Sequence, residues 1–205
     1  NSSVHHSANS IFVWRVTWPS QCTRLWSSDN SITRVISHSL RVSPGGHFVN
    51  HLQVPYGNWL ARFVFPEPVR EFKIEVDLTA DMTVYNPFDF FVEDSAETWP
   101  FEYSDDLRDD LSIYRTPEPE GPLLAQFVGA LDFQENRTVD FLIALNARIS
   151  QVVGYTIRME AGVQTPDETL SSKMGSCRDS SWLLVQVLRH LGFAARFVSG
   201  YLIQL

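Results

Sequence analysis

The sequence predicts an α+β protein in which a run of short antiparallel strands precedes a run of helices. Residues 72–79 alternate apolar and polar side chains, the pattern of a half-buried strand with one solvated face. Residues 176–188 instead begin with a helix-capping pattern and continue as an apolar helical stretch. Strands followed by helices are the order typical of α+β folds.

The first 34 residues show no clear strand periodicity, and the chain starts at Asn1 rather than Met. This segment has two possible interpretations. It is either a non-native start, produced by a shifted reading frame in a partial gene product, or a divergent N-terminal arm. Cys22 lies within it and is interpreted as structural or accidental.

Residues 35–95 are predicted to form a domain resembling a small antiparallel β-sandwich. Turns rich in proline and glycine occupy 43–46 and 55–58. Together with the alternating strand described above, the strands around these turns are predicted over 39–42, 47–54 and 59–65.

Residues 96–122 are predicted to be an acidic and proline-rich linker. Eight carboxylates and only one cation, Arg108, occupy residues 93–110. A solvated stretch with a short helix is the favoured interpretation, and a site for a cation or a basic partner is the alternative. The glycine and alternating ligands of a calcium loop do not occur here.

The remaining segment, residues 123–205, is predicted to form the second domain. Its elements are a helix over 139–153 capped by Thr138, a strand over 155–159, a short helix with Thr165 and Pro166 at its start, a helix from Cys177 that ends at Gly192, and a strand over 194–203.

Cys177 is the residue that points most directly to chemistry. Ser176 and Asp179 have the spacing of a capping box, which makes Ser176 the N-cap and places Cys177 at the first helical position. Backbone N–H groups and the helix dipole stabilise a thiolate at such a position. The competing interpretation is a small buried core cysteine.

Neighbouring residues are assigned supporting roles. Asp179 is expected to cap the helix rather than to act in catalysis, and Arg178 is expected either to balance its charge or to lie in solvent. Gly175 and Ser176 would support an oxyanion hole that uses a backbone N–H. The inward face of the helix is predicted to carry Trp182, which could instead line an acyl pocket, with Leu184, Val185, Leu188 and Leu191.

Composition excludes several function classes. The net charge of −8 argues against nucleic acid as a partner. No apolar run reaches the length of a membrane span, and no signal peptide is recognisable. Two distant cysteines do not make a disulfide framework, so a cytoplasmic location is expected. No cofactor and no metal site are predicted.

Three motifs stand out in the second domain: Thr165–Leu170, Gly175–Asp179 and Leu188–Tyr201. They make the chain resemble bacterial transglutaminase-like proteins, which belong to the papain-like cysteine hydrolase superfamily. Residues 39–94 are similar to the N-terminal β domain of that family. The resemblance covers about residues 37–205. It implies a β-sandwich-like domain followed by a partial papain-like, transglutaminase-like core, with Cys177 as the nucleophile.

The same resemblance implies a histidine and an aspartate that complete a Cys-His-Asp triad on strands beyond Leu205, which makes the chain an apparent fragment. His190 is excluded as the base, because thirteen residues of helix separate it from Cys177 by about 20 Å. We therefore expect the isolated chain to be inactive and to expose an unpaired apolar strand edge over 194–205.

The predicted function is cysteine-dependent acyl transfer on amide or peptide bonds of a protein or peptide substrate, with hydrolysis favoured over cross-linking. The alternative is a non-catalytic transglutaminase-like interaction module in which Cys177 serves packing. A binding protein that uses the β domain and the acidic segment 93–110 is a further candidate.

Overall fold

The computed structural model describes residues 4–14, 20–23, 33–53, 59–82, 90–132 and 134–199. These residues divide into two compact units, one drawn from residues up to Asp89 and one spanning Phe90–Ser199. The order of elements is strands first and helices second, as predicted, and the fold class is α+β.

The described part of the first unit consists of two antiparallel sheets of three strands each. The strands are β1 (Val4–Trp14), β2 (Ser20–Thr23), β3 (Thr33–Ser43), β4 (Phe48–Gln53), β5 (Trp59–Val64) and β6 (Phe72–Met82). One sheet has the order β1-β6-β3 and the other the order β2-β5-β4. Each sheet therefore has one of the two later strands, β6 or β5, at its centre.

Alternate side chains of the two central strands form the core of this unit. Phe72, Ile74 and Val76 of β6 are buried, while the residues between them are only partly buried, so the predicted alternation is confirmed. They form one apolar cluster with Ala61 and Phe63 of β5. Apolar faces of two sheets packed together make this unit β-sandwich-like.

The prediction of no strand pattern in the first 34 residues is wrong for the described part of that segment. β1 pairs with β6 along its whole length, from Val4 opposite Met82 to Trp14 opposite Phe72. β2 pairs in the same way with β5. Both strands are specified by hydrogen bonds to partners about 40 or more residues away, which periodicity within a single segment does not detect.

The second unit contains six helices and four short strands in its described residues. A 3-10 turn (Asp94–Ala96) precedes them, and they are β7 (Thr98–Trp99), α1 (Asp105–Asp110), α2 (Ser112–Arg115), α3 (Pro122–Gly129), β8 (Asn136–Arg137), α4 (Thr138–Val152), β9 (Gly154–Tyr155), α5 (Pro166–Ser172), β10 (Met174–Gly175) and α6 (Cys177–His190). β7 pairs antiparallel with β8, and β9 pairs parallel with β10.

Helix α6 lies in the centre of this unit. Leu183 and Val187 are fully buried in one apolar cluster with Phe141 and Leu145 of α4. Of the predicted inward face, Val185 is buried, and Leu184, Leu188 and Leu191 are partly buried against this cluster. Trp182 is partly buried outside the cluster. In the middle of α6 the most buried side chains are Leu183, Gln186 and Val187. Because Gln186 is polar, a search for apolar residues at helical spacing does not identify this face of the helix.

The segment predicted as a linker contributes to this core. Trp99 is only 4% exposed and stacks on Phe141 with ring centroids 4.0 Å apart. The acidic side chains of residues 93–110 are exposed, and α1 is a short helix of the kind predicted there. Residues 96–122 therefore lie within the second compact unit rather than between two domains.

Three local predictions need correction. Arg137, not Thr138, is the N-cap of α4, because the Thr138 hydroxyl donates to the Ala96 carbonyl at 2.6 Å instead. The predicted strand 155–159 is reduced to β9, and Arg158 beyond it is directed to Asp179. Residues 194–199 alternate in burial but have no ladder partner among the described residues, and the rest of that predicted strand lies outside them.

Among the described residues, no helix has the length and apolar character that a membrane span requires.

Candidate active site

Cys177 occupies the first position of α6, and its side chain is exposed. The chain reaches it directly from β10, which pairs with β9 and is extended by a hydrogen bond from the Thr156 N–H to the Gly175 carbonyl at 2.9 Å. Ser176 between them is the N-cap. A thiol at the surface is thus attached to a helix whose other face is buried.

Asp179, one turn into this helix, is fully buried and accepts five hydrogen bonds. The Ser176 backbone N–H and hydroxyl donate to its Oδ2 at 2.8 and 2.6 Å. The Gln164 N–H donates to Oδ1 at 2.9 Å. Arg158 donates to both oxygens, from Nε at 2.9 Å and from Nη2 at 3.0 Å. This carboxylate therefore ties the first turn of α6 to Ser176, Gln164 and Arg158.

The ionised form of Asp179 is stabilised by these contacts. The Arg158 guanidinium holds the pKa of the Asp179 carboxyl well below its usual range. The hydrogen bonds from Ser176 and Gln164 lower this pKa further by smaller amounts, and burial of the carboxyl opposes the shift. The same bonds raise the pKa of Arg158. The carboxylate is therefore charged and paired rather than charged and alone beside the thiol.

Arg178 does not have the charge-balancing role that was one of its two predicted roles. Its Nη2 donates to the Arg158 carbonyl at 3.1 Å and to the Glu160 carbonyl. The Asp179 carboxylate is balanced by Arg158, which the sequence analysis did not identify. The two residues are 21 positions apart, and the only available signal was that an arginine lay within the predicted strand 155–159.

Gly175 is buried at a position where the structure leaves little room. A Cβ added there would lie 3.1 Å from the Asp179 Cβ and 3.4 Å from the Thr169 Cγ2. Its small size therefore suits the close packing of α5 and α6 against β10.

Trp182 is partly buried and has polar contacts. Its Nε1 donates to Glu118 Oε2 at 3.3 Å, and the Arg189 guanidinium carbon lies 5.8 Å from its ring centroid. Phe197 meets the ring edge-on at 6.4 Å. These contacts connect the middle of α6 to the segments before α3 and after α6.

His190 is the last residue of α6, at the opposite end from Cys177. Its Nδ1 lies 3.8 Å from Glu120 Oε1. A straight helix of this length places it about 20 Å from the thiol, too far for direct proton transfer.

An open depression of about 900 Å³ lies on the same unit, with Arg158 in its wall. Cys177 is not part of its lining, which consists of Pro122, Leu123, Arg158, Glu160, Val163, Gln164, Asp167, Glu168, Ser171 and Ser172. Among the described residues, no group of three acidic, histidine or cysteine side chains is arranged to hold a metal ion.

Comparison with known proteins gives two family matches. Residues 3–81 match the bacterial transglutaminase-like N-terminal region. Residues 126–204 match the transglutaminase-like superfamily. No curated protein sequence gives a match.

One solved structure is similar in fold, that of a candidate cysteine protease from Cytophaga hutchinsonii. The two chains are 15% identical and superpose with a TM-score of 0.65, over 92% of this chain and 66% of the other. This chain thus spans about two thirds of that protein's length. Residues 3–81 therefore carry the N-terminal region of bacterial transglutaminase-like proteins, and residues 126–204 carry a core of the transglutaminase-like superfamily.

Proposed function

We propose that this protein carries out cysteine-dependent acyl transfer on amide or peptide bonds, with Cys177 as the nucleophile and water as the usual acceptor. The observation that carries the proposal is the placement of Cys177, an exposed thiol at the first position of a helix whose far side is buried. Unpaired backbone N–H groups at such a helix start stabilise a thiolate and a developing oxyanion.

The proposed reaction has two steps. The Cys177 thiolate adds to the carbonyl carbon, a C–S bond forms, and the C–N bond then breaks as the amine leaves with a proton. Water next adds to the thioester carbonyl, the C–S bond breaks, and the thiolate is regenerated with a carboxylate product. If an amine replaces water in the second step, the product is a new amide.

The general base in this proposal is supplied from outside residues 90–199. The sequence of that segment contains a single histidine, His190, which occupies the far end of α6. A base has to lie within hydrogen-bonding reach of the proton that it takes, and about 20 Å of helix does not allow this.

Water is favoured as the acceptor because Cys177 is exposed among the described residues. Cross-linking requires that an amine reach the thioester while water, at far higher concentration, is kept away. A closed tunnel around the thiol would serve that purpose, and an exposed thiol favours hydrolysis of a protein or peptide substrate instead.

A test that needs little help from a base uses p-nitrophenyl acetate, whose leaving group departs without a proton. We expect a burst of one equivalent of nitrophenolate and an acetyl group on Cys177, detected by mass spectrometry of the digested protein. The Cys177→Ser variant should lose both signals, and the Cys22→Ser variant should keep them.

Addition of a primary amine separates the two acceptors. Decay of the acetyl thioester at a rate that does not depend on amine concentration supports hydrolysis, whereas an amine-dependent rate supports cross-linking. Absence of any acetylation at Cys177 in folded protein would contradict the proposal and favour the non-catalytic interaction module.

A further inference from the structure

Arg158 contacts two residues that follow Cys177 and, through one of them, is linked to the residue that precedes it. Its guanidinium binds the Asp179 carboxylate, which in turn accepts the Ser176 N–H and hydroxyl. Its backbone carbonyl accepts a hydrogen bond from Arg178 at 3.1 Å. Three of the four residues within two positions of Cys177, namely Ser176, Arg178 and Asp179, are therefore connected to this one residue.

We propose that Arg158 is a positioning residue for Cys177, which fixes the backbone around the thiol and cancels the negative charge of Asp179 beside it. This inference rests on the proposed function of Cys177. Its charge-balancing part follows from Coulomb's law, because a buried carboxylate without a partner two residues from a thiolate would oppose formation of that thiolate.

The geometry requires arginine rather than any cation. Nε and Nη2 bind the two oxygens of Asp179 as a fork, at 2.9 and 3.0 Å, and Nη2 also donates to the Gly162 carbonyl at 3.0 Å. Lysine has no planar fork and could not make these contacts together. The Arg158 side chain is only 16% exposed, so water screens the pair weakly.

Arg158 has two further charged neighbours, Glu160 and Glu168. Glu160 Oε2 lies 3.7 Å from Nη1, but its side chain is 72% exposed, and a pair of this kind contributes little. The interaction with Glu168 is weaker than those with Asp179 and Glu160. Asp179 is thus the main partner of the guanidinium.

The test measures the rate at which iodoacetamide alkylates Cys177 at pH 7 in the Cys22→Ser background, where Cys177 is the single cysteine. Arg158→Met keeps much of the side-chain volume and removes the charge and the fork. We expect the rate to fall roughly tenfold or more, the effect of about 1.4 kcal/mol on thiolate formation. Arg158→Lys should fall between Arg158→Met and the wild type.

A second substitution separates charge from structure. In Arg158→Met/Asp179→Asn the unpaired carboxylate is gone, so the rate should recover at least partly, although the salt bridge is still missing. Between variants that are both folded under the assay conditions, a role in folding alone would not give this recovery. Arg137→Met is the matched control, because Arg137 is exposed and only weakly paired with Asp140, at 4.0 Å.

Each outcome decides between the claims. A folded Arg158→Met protein that reacts as fast as the wild type overturns the inference and leaves the proposed function intact. A wild-type Cys177 that reacts no faster than cysteine in unfolded protein overturns the proposed function itself. If Arg158→Met does not fold, Arg158→Lys takes its place: a fall of about threefold or more supports the inference, and an unchanged rate overturns it.

Discussion

At the residue scale, Asp179 has two opposing effects on the start of α6. A carboxylate at the third position of a helix caps the N-terminus, but the same charge opposes a thiolate two residues earlier. The structure resolves this conflict with Arg158, whose guanidinium binds both carboxylate oxygens. The cap and the thiol can therefore occupy one turn of α6.

The pairing of Asp179 makes stability depend on pH. Its pKa in the folded protein is lower than in the unfolded chain, so its contribution is complete above about pH 4 and is lost as pH falls through the folded-state pKa. Asp179→Asn should therefore flatten the decline in unfolding free energy between pH 5 and pH 2. It should also lower that free energy at pH 7, by about 3–5 kcal/mol at most, because Arg158 loses its partner.

Urea unfolding at several pH values measures this effect, and Asp105→Asn is the control, since its side chain is 94% exposed. Parallel curves for the wild type and Asp179→Asn would contradict the prediction.

Gly175 gives a steric prediction next to the same site. Gly175→Ala should destabilise the protein by about 1–3 kcal/mol, because the new methyl group would lie 3.1 Å from the Asp179 Cβ. Gly129→Ala is the matched control: its Cβ would meet nothing within 4 Å, and alanine favours the helix. Chemical denaturation of both variants gives the comparison, and equal effects would refute the steric account.

Sequence was sufficient for the residues that act locally. Ser176, Asp179 and Gly192 were identified because caps depend on neighbours within a few positions, and Gly192 has the positive φ of +89° that a helix C-terminus favours. Arg158 was missed because its partner is 21 positions away, and no local pattern encodes such a pair.

At the scale of elements, α3 depends on a cap from another helix. The Asp167 carboxylate of α5 accepts the backbone N–H groups of Leu123 and Leu124, at 3.2 and 2.9 Å. A Cβ on Gly121 would lie within 2.4 Å of this carboxylate, so the glycine provides the space for it. The start of α3 is thus set by α5.

Asp167→Ala should accordingly destabilise the second unit by about 1 kcal/mol, the usual effect of losing an N-cap acceptor. Hydrogen exchange should increase first at the Leu123 and Leu124 amides. Asp140→Ala, at an exposed first-turn position of α4, should change little. Unchanged exchange at Leu123 and Leu124 in Asp167→Ala would disprove the capping role.

Elements with a strong internal period were predicted well, and elements defined by distant partners were not. The alternation of β6 and the caps of α6 lie within single segments. β1 was missed because pairing with β6 defines it, and residues 194–199 were overpredicted because alternation alone does not supply a ladder partner.

At the scale of the whole molecule, the order of strands before helices followed from the sequence, and the separation into two compact units is seen in the structure. The predicted linker was misjudged because its acidic composition concealed Trp99 and Phe101, which pack into the core of the second unit. Two aromatic side chains are enough to anchor this segment in the core, although many of its side chains are charged and exposed.

The measurement that tests the central claim most directly is the alkylation rate of Cys177 in folded protein relative to the same protein in urea, with Cys22 replaced by serine. The account predicts that folding accelerates the reaction at pH 7 by roughly tenfold or more, because the start of α6 stabilises a thiolate at an exposed position. An equal or slower rate in folded protein would contradict Cys177 as the nucleophile.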